Sequence, residues 1–184
     1  MLIDDEDIED VGALSIAQVP GWVRQLGIPE GWQLVQLYEI PRVPLARMAV
    51  LGPREDGGWE AAETISVFGY TGWPVFYEVL SNAAGTLRDL GATDIVTKVL
   101  PIPPTRWAAA LRSSGTCLIG GRRVWVQQSN YVAGSEQPRA GRLIVHSVFV
   151  DAASRGRLAE DISQMGDAVY QGFVAALRAP DRAR

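Results

Sequence analysis

The sequence predicts an α/β fold of the α+β type, in which helices cover a largely antiparallel sheet. Three observations support this prediction. Most apolar segments are short, alternate with polar residues and are bounded by Pro, Gly or Asp, as β-strands are. Two segments instead repeat their apolar residues every three or four positions, as amphipathic helices do. Because several predicted strands follow one another with only short turns between them, the sheet has to be largely antiparallel.

The predicted strands share the alternating pattern and are separated by turn residues. They are residues 32–40 (WQLVQLYEI), 47–52 (RMAVLG), 63–70 (ETISVFGY), 94–102 (DIVTKVLPI), 106–119 (RWAAALRSSGTCLI), 122–133 (RRVWVQQSNYVA) and 142–150 (RLIVHSVFV). Residues 53–58 (PREDGG) are predicted to form a hairpin loop between the second and third of these strands.

The double glycine Gly120–Gly121 is the central turn signal of residues 113–134 (SSGTCLIGGRRVWVQQSNYVAG). Gly115 and Gly120 have the spacing of a phosphate-binding loop, but Gly121 stands where that motif needs its lysine. Such a loop also leads from a strand into a helix, whereas strands are predicted on both sides here. Two consecutive glycines supply the positive φ angles of a two-residue turn, so we predict a β-hairpin.

Two segments are predicted to be helices. Residues 74–91 (PVFYEVLSNAAGTLRDLG) have Pro74 in the first turn and Gly91 just past the end. Their predicted buried face consists of Phe76, Leu80, Ala83, Leu87 and Leu90. Asp151 or Ser154 is predicted to cap a C-terminal helix. The apolar face of that helix consists of Leu158, Ile162, Met165, Val169, Phe173 and Leu177.

A chain of 184 residues and 20.0 kDa is long enough for one domain with a substantial core. We assign residues 19–179 to a single domain. Residues 1–18 begin with the acidic run MLIDDEDIED, have little to bury and are predicted to be mobile. Residues 180–184 are predicted to be a tail.

Composition and charge argue against several classes of protein. The net charge is −4 and the pI is about 5.0, which disfavours broad nucleic-acid binding. A single cysteine excludes an intrachain disulfide. The acidic start does not fit a secretory signal, and the sequence contains no long uninterrupted apolar stretch that would cross a membrane. We therefore predict a cytoplasmic protein.

No residues stand out as catalytic. A thiol nucleophile would have to be Cys117, with His146, the only histidine, as its base. Cys117 lies in apolar company, which is typical of a buried structural cysteine, and His146 lies inside a predicted strand. The acidic pairs lie in the mobile start and on the solvated side of the last helix. We predict no catalytic residue, no metal site and no cofactor.

Tryptophan, tyrosine and arginine side chains are the candidate binding residues, because these types dominate binding energy at interfaces. Trp59 and Trp73 lie in glycine-rich loops, where they are either exposed for recognition or packed at the core edge. The strand after Gly121 also carries aromatic and basic residues as in proteins that bind single-stranded nucleic acid, but the acidic total argues against that alternative. The predicted binding residues are Trp59, Trp73, Tyr77, Arg122, Arg123 and Trp125.

Four segments resemble a known family. They are LGIPEGWQLV at residues 26–35, TISVFGY from Thr64, the helix ending AAGTLRDLGATDI, and the pattern G-x-R-x-W-V-Q-Q from Gly121. Together with the order of the elements, they resemble the Mog1/PsbP-like α-β-α sandwich and, within it, the LpqN-type lipoprotein family of actinobacteria. The resemblance covers roughly residues 20–173. Lipoproteins of that family carry a signal peptide and a lipidated cysteine, which are not found in this sequence.

The resemblance implies a non-enzymatic, protein-binding or adaptor or transport-accessory domain from an actinobacterium or one of its phages. It supplies no catalytic residue that matches a position of this chain. The expected partner is therefore a protein, with no nucleic acid and no membrane span. One alternative is a pocket protein that binds an apolar small molecule or lipid between the sheet and a helix. A further alternative is a hydrolase whose catalytic residues show no recognisable pattern.

Overall fold

A computed structural model describes residues 8–36, 45–54, 57–105 and 107–179. In chain order the elements are β1 (Ile8–Ala13), a 3-10 helix (Ile16–Gln18), α1 (Gly21–Arg24), β2 (Gln33–Leu34), β3 (Arg47–Leu51), β4 (Ala61–Gly72), α2 (Phe76–Asn82), α3 (Gly85–Asp89), β5 (Thr93–Val99), β6 (Ala108–Ile119), β7 (Arg122–Ala133), β8 (Gly141–Asp151) and α4 (Ala159–Arg178). The strand predicted at residues 32–40 is present as the short β2, and residues 37–40 lie outside the described part.

The strands of the described residues form one sheet in the order β2-β3-β4-β8-β7-β6-β5. Every strand pairing in it is antiparallel. β3 pairs with the first half of β4, and β1 pairs with the second half of the same strand edge. The predicted α+β class with a largely antiparallel sheet is confirmed.

Alternation along the strands gives the sheet two buried faces. On one face, α1 and α4 cover a core that includes Ile65, Tyr131, Ile144, Val169 and Phe173. On the other face, α2 and α3 cover smaller clusters that include Val79, Leu111, Leu143, Leu87 and Cys117. The layers are therefore helix, sheet and helix, as an α-β-α sandwich requires.

Residues 8–18 differ from the predicted mobile segment. β1 pairs with β4, with Ile8 opposite Gly72 and Ala13 opposite Phe68. The backbone N–H of Leu14 then donates to Val67 O at 2.9 Å. The pairing is possible because Ile8 and Val11 pack against the buried cluster on the α2 side of the sheet. Residues 1–7 and the tail at 180–184 lie outside the described residues.

The helix predicted at residues 74–91 consists of two helices, α2 and α3. The carbonyl of Ala83, at the end of α2, accepts hydrogen bonds from Ser113 Oγ and Asn130 Nδ2, both at 3.3 Å. In one continuous helix, this carbonyl would accept a hydrogen bond from the backbone N–H four residues later. Here the two side chains of the sheet donate to it instead. The chain turns at this point, and the predicted buried face is therefore only partly correct.

The C-terminal helix and the central hairpin agree with prediction, apart from the cap. Leu158, Ile162, Met165, Val169 and Phe173 are all buried. The helix starts after Leu158 without a side-chain cap, so neither predicted capping residue serves in that role. Residues 120 and 121 have φ values of 58° and 80° and connect β6 to β7, as the double-glycine turn predicts.

Candidate functional site

The structure divides the six predicted binding residues between two ends of the sheet. Trp59 comes just before β4 and Trp73 just after it. A strand of 12 residues is about 40 Å long. Tyr77 lies near the Trp73 end, on α2, whereas the β6–β7 hairpin brings Arg122, Arg123 and Trp125 to the other end. These residues therefore cannot form one continuous patch.

At the hairpin end, a cleft of about 580 Å³ opens between the β6–β7 hairpin and the turn that follows β8. We call it the arginine cleft. It is lined by Thr116, Arg122, Arg123, Trp125, Asp151, Ala152, Ala153 and Arg155. A backbone hydrogen bond from Ala152 N–H to Arg123 O, 3.0 Å long, holds its two walls together.

The floor of the arginine cleft is the buried ring of Trp125. The guanidinium carbon of Arg155 lies 4.5 Å from the centre of this ring, which is a cation–π contact. Arg155 was not predicted from the sequence, because it is an arginine in a turn with no local pattern around it. On the far side of the hairpin, Arg122 Nη2 donates to Gly57 O at 3.4 Å.

The one carboxylate among the lining residues of the arginine cleft is already paired. Arg54 donates a hydrogen bond to Asp151 Oδ2, and the backbone N–H of Ala153 donates to Asp151 Oδ1 at 3.0 Å. The hydrogen bond from Arg54 and that from Ala153 lower the pKa of Asp151. Asp151 is thus an ionised group held by Arg54, and the other charges that line the cleft are positive.

Trp59 is about half exposed, in the loop before β4. It is not among the residues that line the arginine cleft, although its loop touches the hairpin through Arg122 and Gly57. A Cβ on Gly52 would lie 3.3 Å from the Trp59 ring, so the ring is packed against its own loop. The structure places Trp59 beside the cleft and not in it.

At the opposite end, helix α2 turns apolar side chains outward. Val75, Phe76, Tyr77 and Leu80 are 45%, 50%, 74% and 36% exposed, and we call these four residues the α2 surface. Phe76 and Leu80 were predicted to be buried. Val79 is the residue of α2 that is buried, because the short helix points this side chain at Leu111 and Leu143 of the sheet.

Trp73 lies just before the α2 surface and has an aromatic partner. Its ring stacks on that of Trp107 with the centres 4.6 Å apart. Trp73 itself is half-buried, and a Cβ built on Gly134 would overlap its ring. These contacts favour a packing role for Trp73, one of the two roles that the sequence left open.

The structure also contains a buried polar group that sequence reasoning missed. Glu63 Oε2 accepts from Arg47 Nε at 3.0 Å, and His146 Nε2 lies 3.1 Å from Glu63 Oε1. All three side chains are buried beneath the α4 side of the sheet. The available signal was a polar residue at an inward position of three separate strands, but the pattern does not say that the three meet.

The residues considered for thiol chemistry do not meet. Cys117 is paired with Val124 and His146 with Ser129, five residues away along β7 and on the opposite face of the sheet. Burial also raises the pKa of the Cys117 thiol, which disfavours the reactive thiolate. These positions argue against a Cys–His pair.

The strand considered for nucleic-acid binding is covered. Trp125, Ser129 and Tyr131 are buried, and the core of α4 packs on Trp125 and Tyr131. Within residues 8–36, 45–54, 57–105 and 107–179, no three His, Cys, Asp or Glu side chains are grouped to hold a metal ion. Over the same part of the chain, no helix has the length and apolarity needed to cross a membrane.

Comparison with solved structures shows a likeness of fold. No family model matches the sequence, and no curated protein matches it. Among solved structures, the fold is similar to that of LpqN from Mycobacterium tuberculosis, a protein involved in cell envelope biogenesis. The TM-score is 0.60 at 15% sequence identity, over 89% of this chain and 84% of LpqN.

This likeness confirms the LpqN-like fold that the sequence motifs indicated. The broader Mog1/PsbP assignment stays a prediction. The prediction of a cytoplasmic protein is contradicted by this neighbour, which acts in building the cell envelope, and it is therefore wrong. It rested on the acidic amino terminus, a feature that carries no information about the fold shared with LpqN.

Proposed function

We propose that the protein is a non-catalytic binding domain of cell envelope biogenesis that docks a partner protein on the α2 surface. The observation that carries the proposal is the outward exposure of Phe76, Tyr77 and Leu80 on the short helix α2 and of Val75, the residue just before it. Contiguous apolar exposure on a folded domain marks an interaction site more often than an ordinary surface. The fold shared with LpqN supports the link to the cell envelope.

Tyr77 is the residue expected to contribute most to this docking. Its side chain is 74% exposed. Its ring therefore makes few contacts within the domain and has a large surface that a partner can bury. Aromatic residues that become desolvated at the centre of an interface are typical hot spots.

Photocrosslinking in the native host tests this proposal. A photoreactive phenylalanine replaces Tyr77, and a matched variant carries it at Gln171, an exposed position of α4 on the opposite face. We expect one defined protein adduct from position 77 and none from position 171. In affinity purification without a crosslinker, Tyr77→Ser should no longer retain that same protein, while the melting temperature stays unchanged because the side chain is largely solvated.

Two results would contradict the proposal. One is equal crosslinking from positions 77 and 171, which would indicate random encounter. The other is full retention of the captured protein by Tyr77→Ser in a folded chain. Either result would remove the α2 surface from the function.

An apolar groove supports the second candidate function, binding of an apolar small molecule. It has a volume of about 290 Å³, near the lower limit for small-molecule pockets. Its apolar lining consists of Ile16, Val23, Leu34, Val35, Ala46 and Met48. A fluorescent fatty acid that binds the wild type but not Leu34→Arg would favour this candidate over protein docking.

A further inference from the structure

We infer that the arginine cleft binds a phosphate monoester group. This inference rests on the hairpin end of the sheet and does not depend on the proposed docking at α2. The cleft combines three features: an excess of guanidinium groups, an aromatic floor that contacts one of them, and a volume suited to an organic molecule.

The positive charge of the cleft is local. The whole chain has 21 acidic and 17 basic residues and a net charge of −4, so chance placement would not concentrate cations. Arg122, Arg123 and Arg155 nevertheless line one cleft, and the lining carboxylate of Asp151 is held by Arg54. An anion that enters the cleft therefore meets guanidinium groups, and the carboxylate that lines the cleft is already paired with Arg54.

The side chains are arranged for a compact anion of high charge. The cation–π contact with the buried Trp125 ring, whose centre lies 4.5 Å from the guanidinium carbon, restrains the position of Arg155. A fixed guanidinium forms paired hydrogen bonds to phosphate oxygens at a lower entropic cost than a lysine would. Thr116 adds a hydroxyl to the same wall. A phosphate monoester presents three terminal oxygens and up to two negative charges, so it accepts hydrogen bonds from several guanidinium groups at once.

The volume sets the size of the ligand. About 580 Å³ lies within the range of small-molecule sites, so the cleft has space for a phosphate and the organic group attached to it. The apolar part of that group would lie against the methyl groups of Ala152 and Ala153. The same chemistry is offered by a free phosphorylated metabolite and by the headgroup of a lipid such as phosphatidic acid.

The test uses the full chain and two forms of the same phosphate chemistry. Soluble glycerol phosphate is titrated by calorimetry. In parallel, flotation measures binding to phosphatidylcholine vesicles with and without phosphatidic acid. The variants are Arg123→Gln and Arg155→Gln. Arg178→Gln, at the exposed end of α4, is the control because it removes the same charge far from the cleft.

We expect saturable binding by the wild type and by Arg178→Gln, weakened at least about tenfold by each cleft substitution. Binding of glycerol phosphate would identify a free phosphorylated ligand, whereas binding only to vesicles that contain phosphatidic acid would identify a headgroup. Both substituted arginines are exposed, and thermal unfolding checks that each variant is folded.

The inference is overturned if the wild type binds neither glycerol phosphate nor the acidic vesicles. It is equally overturned if Arg178→Gln loses as much binding as the cleft variants, because the attraction would then be a general charge effect. Neither outcome bears on crosslinking from position 77, so failure here is distinguishable from failure of the proposed docking.

Discussion

Glu63 connects three parts of the chain through its two carboxylate oxygens. One oxygen accepts from Arg47 on β3 and the other contacts His146 on β8. Arg47 also donates to the carbonyl oxygens of Leu26 at 2.5 Å and Gly27 at 2.9 Å. The group therefore connects the segment between α1 and β2 to strands β3, β4 and β8.

The same contacts determine the ionisation of Glu63. Burial raises the pKa of its carboxyl, but the hydrogen bond from His146 and the charges of His146 and Arg47 outweigh burial and lower the pKa overall. A carboxyl whose pKa is lowered by folding stabilises the folded state at pH values above its ordinary pKa. That stability is lost as the pH falls through the lowered value.

Glu63→Gln should destabilise the protein by about 3 kcal/mol or more at neutral pH, because it leaves Arg47 buried without its carboxylate. Urea unfolding of the variant and the wild type measures this difference. At pH values below 4.5, the ordinary pKa of a glutamate carboxyl, the difference in stability between the two proteins should shrink. It shrinks because the Glu63 carboxyl of the wild type also becomes protonated. Glu136→Gln, at an exposed position, should change neither quantity. A difference independent of pH would contradict the assigned role of the charge.

Among the helices, α4 has glycines where neighbouring side chains come close. Gly172 faces the ring of Trp22, and a Cβ built there would overlap that ring. Trp22 lies on α1, whose Val23 packs in the same core as Phe173 of α4. The absence of a side chain at position 172 therefore lets the short α1 lie directly on the long helix.

Gly172→Ala should lower the free energy of unfolding by about 2 kcal/mol, because a rigid indole ring has to move. This is opposite to the usual gain from replacing a helical glycine by alanine. Gly85→Ala is the matched control, since nothing lies within 4 Å of a Cβ at that helical position. The control should be neutral or stabilising by up to about 1 kcal/mol. A Gly172→Ala variant that melts at or above the wild type would refute the close contact.

The edge strand β5 shows how an exposed sheet border is protected. Val96 and Val99 are about half exposed on this strand, where another chain would be able to pair. The pairing with β6 is irregular between Thr93 and Val96, and Asp94 there has a φ of 54°. Lys98, the single lysine of the sequence, lies on the same strand. A bulge and a charged side chain are the features that natural edge strands use against self-association.

In the molecule as a whole, local sequence patterns predicted most helices and strands. They predicted few of the contacts between elements that are distant in sequence. Alternation identified β3 to β8, and Gly120–Gly121 identified the hairpin, because neighbouring residues decide these features. Pairing of β1 with β4 joins residues about sixty positions apart, so no local pattern shows it. The break between α2 and α3 depends on Ser113 and Asn130, which are distant in sequence.

In the candidate site too, the sequence predicted neighbouring residues better than contacts between distant ones. Arg122, Arg123 and Trp125 are neighbours in sequence, and all three line the arginine cleft. Their role in binding stays a prediction. Arg155 reaches the cleft only because the turn after β8 folds over the hairpin. Trp73 and Tyr77 were associated with the arginines by residue type alone, and residue type carries no information about distance.

The separation of the two ends leads to a prediction about the entire domain. The arginine cleft and the α2 surface lie at opposite ends of strands about 40 Å long, and the described residues share no side chain between them. Substitutions that far apart normally act additively, within a few tenths of a kcal/mol.

Tyr77→Ser should therefore bind glycerol phosphate or acidic vesicles within about twofold of the wild type. Conversely, Arg123→Gln should give the same crosslinked adduct from position 77 in unchanged yield. The double variant should lose both properties, each by the amount seen in the corresponding single variant. If Arg123→Gln instead reduced the crosslink at position 77 severalfold while its melting temperature was unchanged, the partner would contact both ends of the sheet, and the two surfaces would have to be treated as one binding site.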